Sequence, residues 1–140
     1  MIKAKKSSFH FNDFLINKSV FNYKTAYQDV HVNIAPSGKL FMKDKIFELA
    51  LDVRVTEKES YKEELVKILC SAVFEFEEEV KDKESISNYF LVNAPAIAFP
   101  YIRSYIASLT VQSGKQALLL PTFNLSILAE TLKENLTFVQ

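Results

Sequence analysis

Apolar and polar residues alternate along much of the first half of the chain, which is the pattern of β-strands that bury one face. The alternation is interrupted near Asn17 and Lys18, so a bend is predicted there, and residues 35–38 carry a turn signal. Consecutive strands with short connections predict an antiparallel meander with one polar face. Four segments share this pattern and are predicted as strands: residues 9–23, 30–34, 46–55 and 61–79.

The period changes in the second half, where apolar residues recur at helical spacing. Asn93 is suited to cap a helix, Pro95 suits its first turn, and Gly114 suits its C-terminal end. Pro100 lies inside this span, so the helix is predicted to start late or to kink there. A second helix is predicted from Asn124, with leucines at 125, 128, 132 and 136 on one face. The predicted class is α+β, a four-stranded antiparallel meander followed by two helices packed on one face.

Length and composition predict one globular domain over residues 1–140. The 140 residues are 49% apolar and 13% aromatic, which is enough to build a core. Seventeen basic residues balance seventeen acidic ones, so charge gives no reason to expect a nucleic-acid partner. No run approaches the roughly 18 apolar residues of a membrane span, and the basic start leads into alternating residues rather than a secretory signal. The single cysteine can form no internal disulfide, so a protein of the reducing cytoplasm, without membrane insertion, is predicted.

Candidate catalytic groups are few and scattered. His10 and His31 are interpreted as ordinary strand residues, because zinc sites usually need three or four clustered ligands. Cys70, the single cysteine, lies on an apolar strand and is interpreted as a packed thiol. The chain has two glycines and no glycine-rich turn between a strand and a helix, so no phosphate loop is predicted. These residues predict no enzyme, no metal and no cofactor.

The segment of residues 117–121 is apolar, contains a proline and follows neither helical nor strand periodicity. Because it joins the two predicted helices, two interpretations are open. The segment covers the sheet as part of the core, or part of it is exposed as a patch that binds hydrophobic partners.

The same region carries a resemblance to a known family. Its most specific element is Phe99-Pro100-Tyr101-x-Arg103, which is followed by Ser108-Leu109, Gly114 and the run Leu118 to Asn124. These residues resemble the C-terminal half of the protein-export chaperone family SecB, and the order of the predicted strands is similar too. The resemblance implies a four-stranded antiparallel sheet backed by two helices, assembled as a dimer of dimers through the first strand and first helix. It also implies ATP-independent holding of unfolded, export-bound polypeptides in a hydrophobic groove.

Site residues follow from the resemblance by position. The client-binding groove is expected at Phe21, Tyr27, Leu118, Leu120, Phe123, Leu125, Leu128 and Leu132. The oligomer interface is expected at Phe9, Phe11, Ile102, Tyr105, Ile106 and Leu109.

One departure from the family pattern concerns partners. Family members dock on the translocase motor SecA through acidic residues on the sheet face, and Lys18, Asn22 and Ser71 stand at those positions here. Docking on a SecA-type motor is therefore expected to be weak or absent. The expected partners are unfolded preproteins. The alternative is a protein of this fold that serves one dedicated client, such as an antitoxin, or that binds a small apolar ligand.

Overall fold

The computed structural model describes residues 9–22, 29–57, 64–77 and 79–140. Five strands carry the sheet: β1 Phe9–Phe21, β2 Val30–Phe41, β3 Ile46–Glu57, β4 Glu64–Phe76 and β5 Leu136–Val139. Helix α1 covers Asn88–Gln112, and helix α2 covers Ala129–Glu134 directly after a 3₁₀ turn at Leu125–Leu128. Another 3₁₀ turn, Lys83–Ser85, precedes α1.

The α+β class is confirmed, whereas the arrangement of the sheet differs from the predicted meander. The strand order is β1-β4-β3-β2-β5, so β1 pairs with β4 at one edge and not with β2. Strands β2, β3 and β4 do form consecutive antiparallel pairs. The fifth strand runs parallel to β2 at the other edge, where Gly38 is opposite Leu136.

The predicted bend in the first strand is confirmed. Ile16 is opposite Cys70 and Lys18 is opposite Leu69, so Asn17 is an extra residue in β1. A bulge of this kind bends the strand and increases its twist. A second register shift lies between Phe11 and Asp13. The two bulges bend a long edge strand whose outer edge has no partner strand among the described residues.

The turn predicted at residues 35–38 was wrong, because β2 continues through it and the turn falls at residues 42–45. Gly38 donates its backbone N–H to Asn135 on the β5 side, at 3.2 Å. Pro36 lies two residues earlier, so its nitrogen also points away from β3 and no hydrogen bond between β2 and β3 is lost. The chain instead turns where Lys45 adopts a positive φ of 53°.

Helix α1 starts earlier than predicted. Ser87, and not Asn93, is the N-cap, and its side chain accepts a hydrogen bond from the Phe90 N–H at 3.3 Å. Both Pro95 and Pro100 lie within the helix. Neither has an N–H, so Pro100 offers no helical donor to the carbonyl of Ala96. None of the described helices is both long and apolar enough to cross a membrane.

The second predicted helix is shorter than its leucine pattern suggested. Helix α2 ends at Glu134, and Leu136 belongs to β5 instead of extending the helical face. The helix ends early because residues 136–139 pair with Gly38 to Phe41 at the edge of β2. Pairing with that edge satisfies backbone groups that an extra helical turn would leave unpaired on β2.

The core lies between one face of the sheet and α1. As predicted, the odd-numbered residues of β3 from Phe47 to Val55 are buried. Phenylalanine rings connect the two layers. The Phe90 ring on α1 lies 4.9 Å from Phe9 and 4.8 Å from Phe47, and Phe9 stacks on Phe74 at 5.1 Å. Aromatic pairs at these separations stabilise beyond their buried area, by about 0.5–1.5 kcal/mol each.

Gly38 is the position where this packing tolerates no side chain. A Cβ atom there would lie 2.8 Å from Cζ of Phe47 and 3.1 Å from Cδ2 of Leu136. We expect Gly38→Ala to lower the free energy of unfolding by about 1–3 kcal/mol, because overpacking forces neighbours off their rotamers. Urea denaturation measures the loss, and Ser37→Ala at the exposed neighbouring position is the control. Equal midpoints for the two variants would contradict this packing.

An apolar cleft beside helix α1

A concave feature of the described residues is a cleft between α1 and residues 122–126, which we call the α1 cleft. Its volume is about 310 Å³. That volume lies at the low end of the range of about 300–1,000 Å³ for ligand pockets. It suits one or two side chains of an extended segment better than a folded element. The lining residues are Val92, Ala96, Phe99, Pro100, Arg103, Thr122, Phe123, Asn124, Leu125 and Ser126.

The walls of the cleft are mostly apolar. Phe99 is buried and meets the half-buried Phe123 edge to face, with ring centroids 5.6 Å apart. Ala96 and Pro100 are exposed on the α1 side. Pro100 has no N–H, so it supplies no helical donor to the Ala96 carbonyl.

The lining of the cleft also includes polar residues. Arg103 is half-buried and is the only charged residue in the lining. Asn124 accepts hydrogen bonds through its Oδ1 from the Ser126 hydroxyl at 2.7 Å and from the Ser126 N–H at 3.2 Å. These bonds cap the 3₁₀ turn and fix the wall of the cleft opposite α1.

A buried threonine holds the segment that forms this wall. Thr110 donates its hydroxyl to the Ala107 carbonyl at 2.8 Å and accepts the backbone N–H of Leu118 at 2.9 Å. Its backbone carbonyl accepts the N–H of Lys115 at 3.1 Å. The segment after α1 is therefore tied back to the last turns of the helix before it reaches the cleft.

The predicted groove residues fall into different environments. Phe123 and Leu125 line the α1 cleft, while Phe21 and Leu128 are half-buried and do not line it. Tyr27 lies outside the described residues. Three side chains are covered within the protomer core, so in this conformation they offer no surface to a client: Leu118, Leu120 and Leu132. Both interpretations given above for residues 117–121 hold in part, since Leu118 and Leu120 complete the core while Leu119 is 72% exposed.

Sequence reasoning missed the α1 side of the cleft. Its residues recur at helical spacing, at positions 92, 96, 99, 100 and 103, so they share one face of the helix. That spacing was a usable signal. It was obscured because Ile102 and Ile106 mark a second, more apolar face, which is buried on the sheet.

The residues expected at the oligomer interface are also divided. Phe9, Ile102 and Ile106 are buried in the protomer, whereas Phe11, Tyr105 and Leu109 are half-buried. The Tyr105 and Ser19 hydroxyls hydrogen bond at 2.8 Å, which joins α1 to β1. Further apolar side chains on β1 and α1 are more exposed than these: Leu15, Val20 and Tyr101. An interface role for the six residues stays a prediction.

The candidate catalytic groups lie on three different strands, His10 on β1, His31 on β2 and Cys70 on β4. Burial raises the pKa of Cys70 to about 12, so its thiol stays protonated at neutral pH. The Cys70 Sγ lies 3.7 Å from the Leu51 carbonyl oxygen, which accepts its weak hydrogen bond. Among the residues that the structure describes, no group of three or more His, Cys, Asp and Glu side chains is placed to hold a metal.

Comparison with known proteins agrees with the fold. Residues 15–134 match the family described as preprotein translocase subunit SecB, and the chain belongs to that family. The protein-export protein SecB of Anaplasma phagocytophilum (strain HZ) is 33% identical over 90 residues. This match covers 61% of the chain and 55% of the relative, so it spans only about half of that protein's length.

Two solved structures share the fold at low sequence identity. One is a SecB-like chaperone of Mycobacterium tuberculosis in complex with a ChAD peptide from the HigA1 antitoxin. It has a TM-score of 0.64 and 15% identity, and the match covers 83% of this chain and 91% of that one. The other is a protein of unknown function from Streptococcus agalactiae, with a TM-score of 0.51 and 9% identity. That match covers 81% of this chain and 97% of the Streptococcus agalactiae protein.

Thr110 is expected to control the stability of the segment that walls the cleft. Thr110→Val keeps the side-chain shape but removes the acceptor for the buried Leu118 N–H, a loss of about 1–3 kcal/mol. Urea denaturation measures the destabilisation, and hydrogen exchange at Leu118 should accelerate. Thr110→Ser, which keeps the hydroxyl, is the control. If the valine variant matches the serine variant in both measurements, the hydrogen bond from the Leu118 N–H to Thr110 does not stabilise this segment.

Proposed function

We propose that the protein is an ATP-independent holdase chaperone that binds segments of unfolded polypeptide at the α1 cleft. The observation that carries the proposal is an open, mostly apolar cleft in a member of the SecB family. Binding to apolar surface is driven by release of water and needs no nucleotide. We accordingly propose that the protein is not an enzyme and that it acts in the cytoplasm.

Exposed apolar side chains beside the cleft support the same role. Leu119 and Ile127 are 72% and 77% exposed, and they lie on either side of the residues 122–126 wall in the sequence. Such side chains extend the apolar area available to a client beyond one cavity. This apolar surface favours binding with low sequence specificity.

Export-bound preproteins are the proposed clients, and a single dedicated client is the second candidate. The Mycobacterium tuberculosis chaperone of this fold is described in complex with an antitoxin peptide, which favours the second candidate. A small apolar ligand would also fit the volume of the cleft, but no further feature of the cleft favours it over a client protein. Docking on a SecA-type motor is proposed to be weak, because Lys18 is exposed on β1 at a position where the family docks through acidic residues.

The holdase proposal is tested by aggregation of unfolded clients. We expect the protein, without ATP, to suppress light scattering from two unrelated clients diluted out of denaturant. Ala96→Trp should abolish most of this effect, since the indole fills the cleft from an exposed helix position. Gln112→Trp, which adds the same ring at an exposed position of α1 outside the cleft, should retain it.

Three outcomes separate the alternatives. Undiminished scattering at several-fold molar excess over both clients would refute the holdase proposal. Equal suppression by the two tryptophan variants would place client binding outside the α1 cleft. Suppression restricted to one client would favour the dedicated role.

We also propose that the protein assembles as a dimer of dimers through β1 and α1. Tyr101 on α1 is nearly half exposed and stacks on Phe14 of β1, with ring centroids 5.3 Å apart, so aromatic surface of both elements is available to a second copy. Light-scattering mass measurement should report a tetramer. Tyr101→Arg should shift the mass to smaller species, while Tyr89→Arg at the start of the helix should not. A monomer at high protein concentration would contradict this proposal.

A further inference from the structure

Strand β5 is held in the sheet by less pairing than any other described strand. It has four residues, whereas the other strands have 12 or 13. Among the described strands it pairs with β2 alone, and this pairing is parallel, which is slightly less stable per residue than antiparallel pairing. Strand β5 therefore separates from the sheet at the lowest cost.

The chain immediately before β5 is fixed independently of the strand. Lys83 donates its Nζ to the Glu134 carbonyl at 3.1 Å, which ties the end of α2 to the turn before α1. The Asn135 N–H donates to the Thr131 carbonyl at 3.1 Å, so this residue still belongs to the last turn of α2. Because neither bond involves β2, β5 can swing away at Asn135 while α2 keeps its place.

Strand β5 covers backbone donors and apolar surface of β2. Gly38 and Met42 donate their N–H groups to the carbonyls of Asn135 at 3.2 Å and Val139 at 2.9 Å. Leu40 lies between these two donors and is fully buried. Separation of β5 would expose this edge of β2, and an exposed edge of a sheet binds extended polypeptide by strand addition.

The side chains of β5 alternate in the way that an extended apolar peptide requires. Leu136 is buried, Thr137 is exposed, and Phe138 is half-buried against the core. We propose that β5 is an autoinhibitory strand, which occupies the edge of β2 at residues 38–41 until an extended client segment displaces it. Displacement adds this edge to the surface that binds the client. This inference rests on the proposed function and adds regulation to it.

Hydrogen exchange of the free protein tests whether β5 separates from an otherwise intact sheet. The amides of Gly38 and Met42 should exchange about tenfold faster than those of Leu49, Leu51 and Val53 on β3, because local opening costs less than global unfolding. Equal rates for the two groups would show that β5 leaves only when the whole domain unfolds, and would overturn the inference.

A disulfide between β2 and β5 tests the regulation. Lys39 and Thr137 are opposite each other in the register and both are exposed, so Lys39→Cys with Thr137→Cys brings two thiols together. The client is citrate synthase diluted out of guanidinium chloride. The oxidised lock should require about tenfold more protein for half-maximal suppression of light scattering, and reduction of the disulfide should restore the original requirement. The lock should also slow exchange at Gly38 and Met42.

The matched control joins two strands that are not proposed to separate. Ser37 on β2 is opposite Ala50 on β3, so Ser37→Cys with Ala50→Cys introduces a disulfide on the same face of the sheet. Its oxidised form should suppress scattering as well as the unsubstituted protein does. The native Cys70 is buried and takes no part in either disulfide.

Weakening of β5 should act in the opposite direction. The carbonyls of Asn135 and Val139 both face β2, so the N–H of Thr137 between them faces β2 as well. Thr137→Pro removes this donor and should lower the amount of protein needed for half-maximal suppression. Thr137→Val keeps the donor and should leave that amount unchanged. Weaker suppression by a folded proline variant would overturn the inference.

The outcomes distinguish this inference from the proposed function. Equal suppression by the oxidised and reduced lock would overturn the role of β5 while leaving the holdase proposal in place. An equal loss of suppression in the oxidised control would assign the effect to stiffening of the sheet and would overturn that role as well. No suppression by the unsubstituted protein would refute the holdase proposal and, with it, this inference.

Discussion

The structure depends on covering one face of the sheet. Every second residue of β3 and β4 points to that face and is buried, including Phe47 and Phe74. The Phe90 ring of α1 packs beside Phe47. Exposing this layer would cost more than the net stability of a small domain, since each large apolar side chain contributes about 1.5–3 kcal/mol by burial. Helix α1 is therefore fixed on the sheet by its buried face, which contains Ile102 and Ile106.

The α1 cleft is a consequence of that arrangement. A helix with one face on the sheet presents its other faces outward, and the segment after α1 has to return over the helix before β5 can pair with β2. The Thr110 hydroxyl fixes the start of this return through the Leu118 N–H. Leu118 and Leu120 then complete the core, and the next residues stand away from α1 and leave the cleft. Core and cleft are thus built by adjacent parts of one segment.

The alternation of apolar and polar residues predicted those elements that are determined by nearby residues in the sequence. Alternation located β3 and the bulge at Asn17, because a buried sheet face imposes a period of two on its strands. The place of β1 in the sheet and the formation of β5 depend on pairing between distant parts of the chain. The residues around Leu136 do not show by themselves that the edge of β2 is free to pair with them. The helix cap was misplaced because Asn93 and Ser87 are both good caps. The resemblance placed Phe123 and Leu125 at a groove, while Arg103 was noticed only as part of a motif.

The central claim is that client polypeptide binds between α1 and residues 122–126 rather than on the open face of the sheet. Methyl NMR spectroscopy of the assembled protein, with and without an unfolded client, tests it directly. The account predicts shifts at Val92 and Leu125, which line the cleft, and unchanged signals at Leu15 and Val73, which lie on the open face. Shifts confined to Leu15 and Val73 would contradict it.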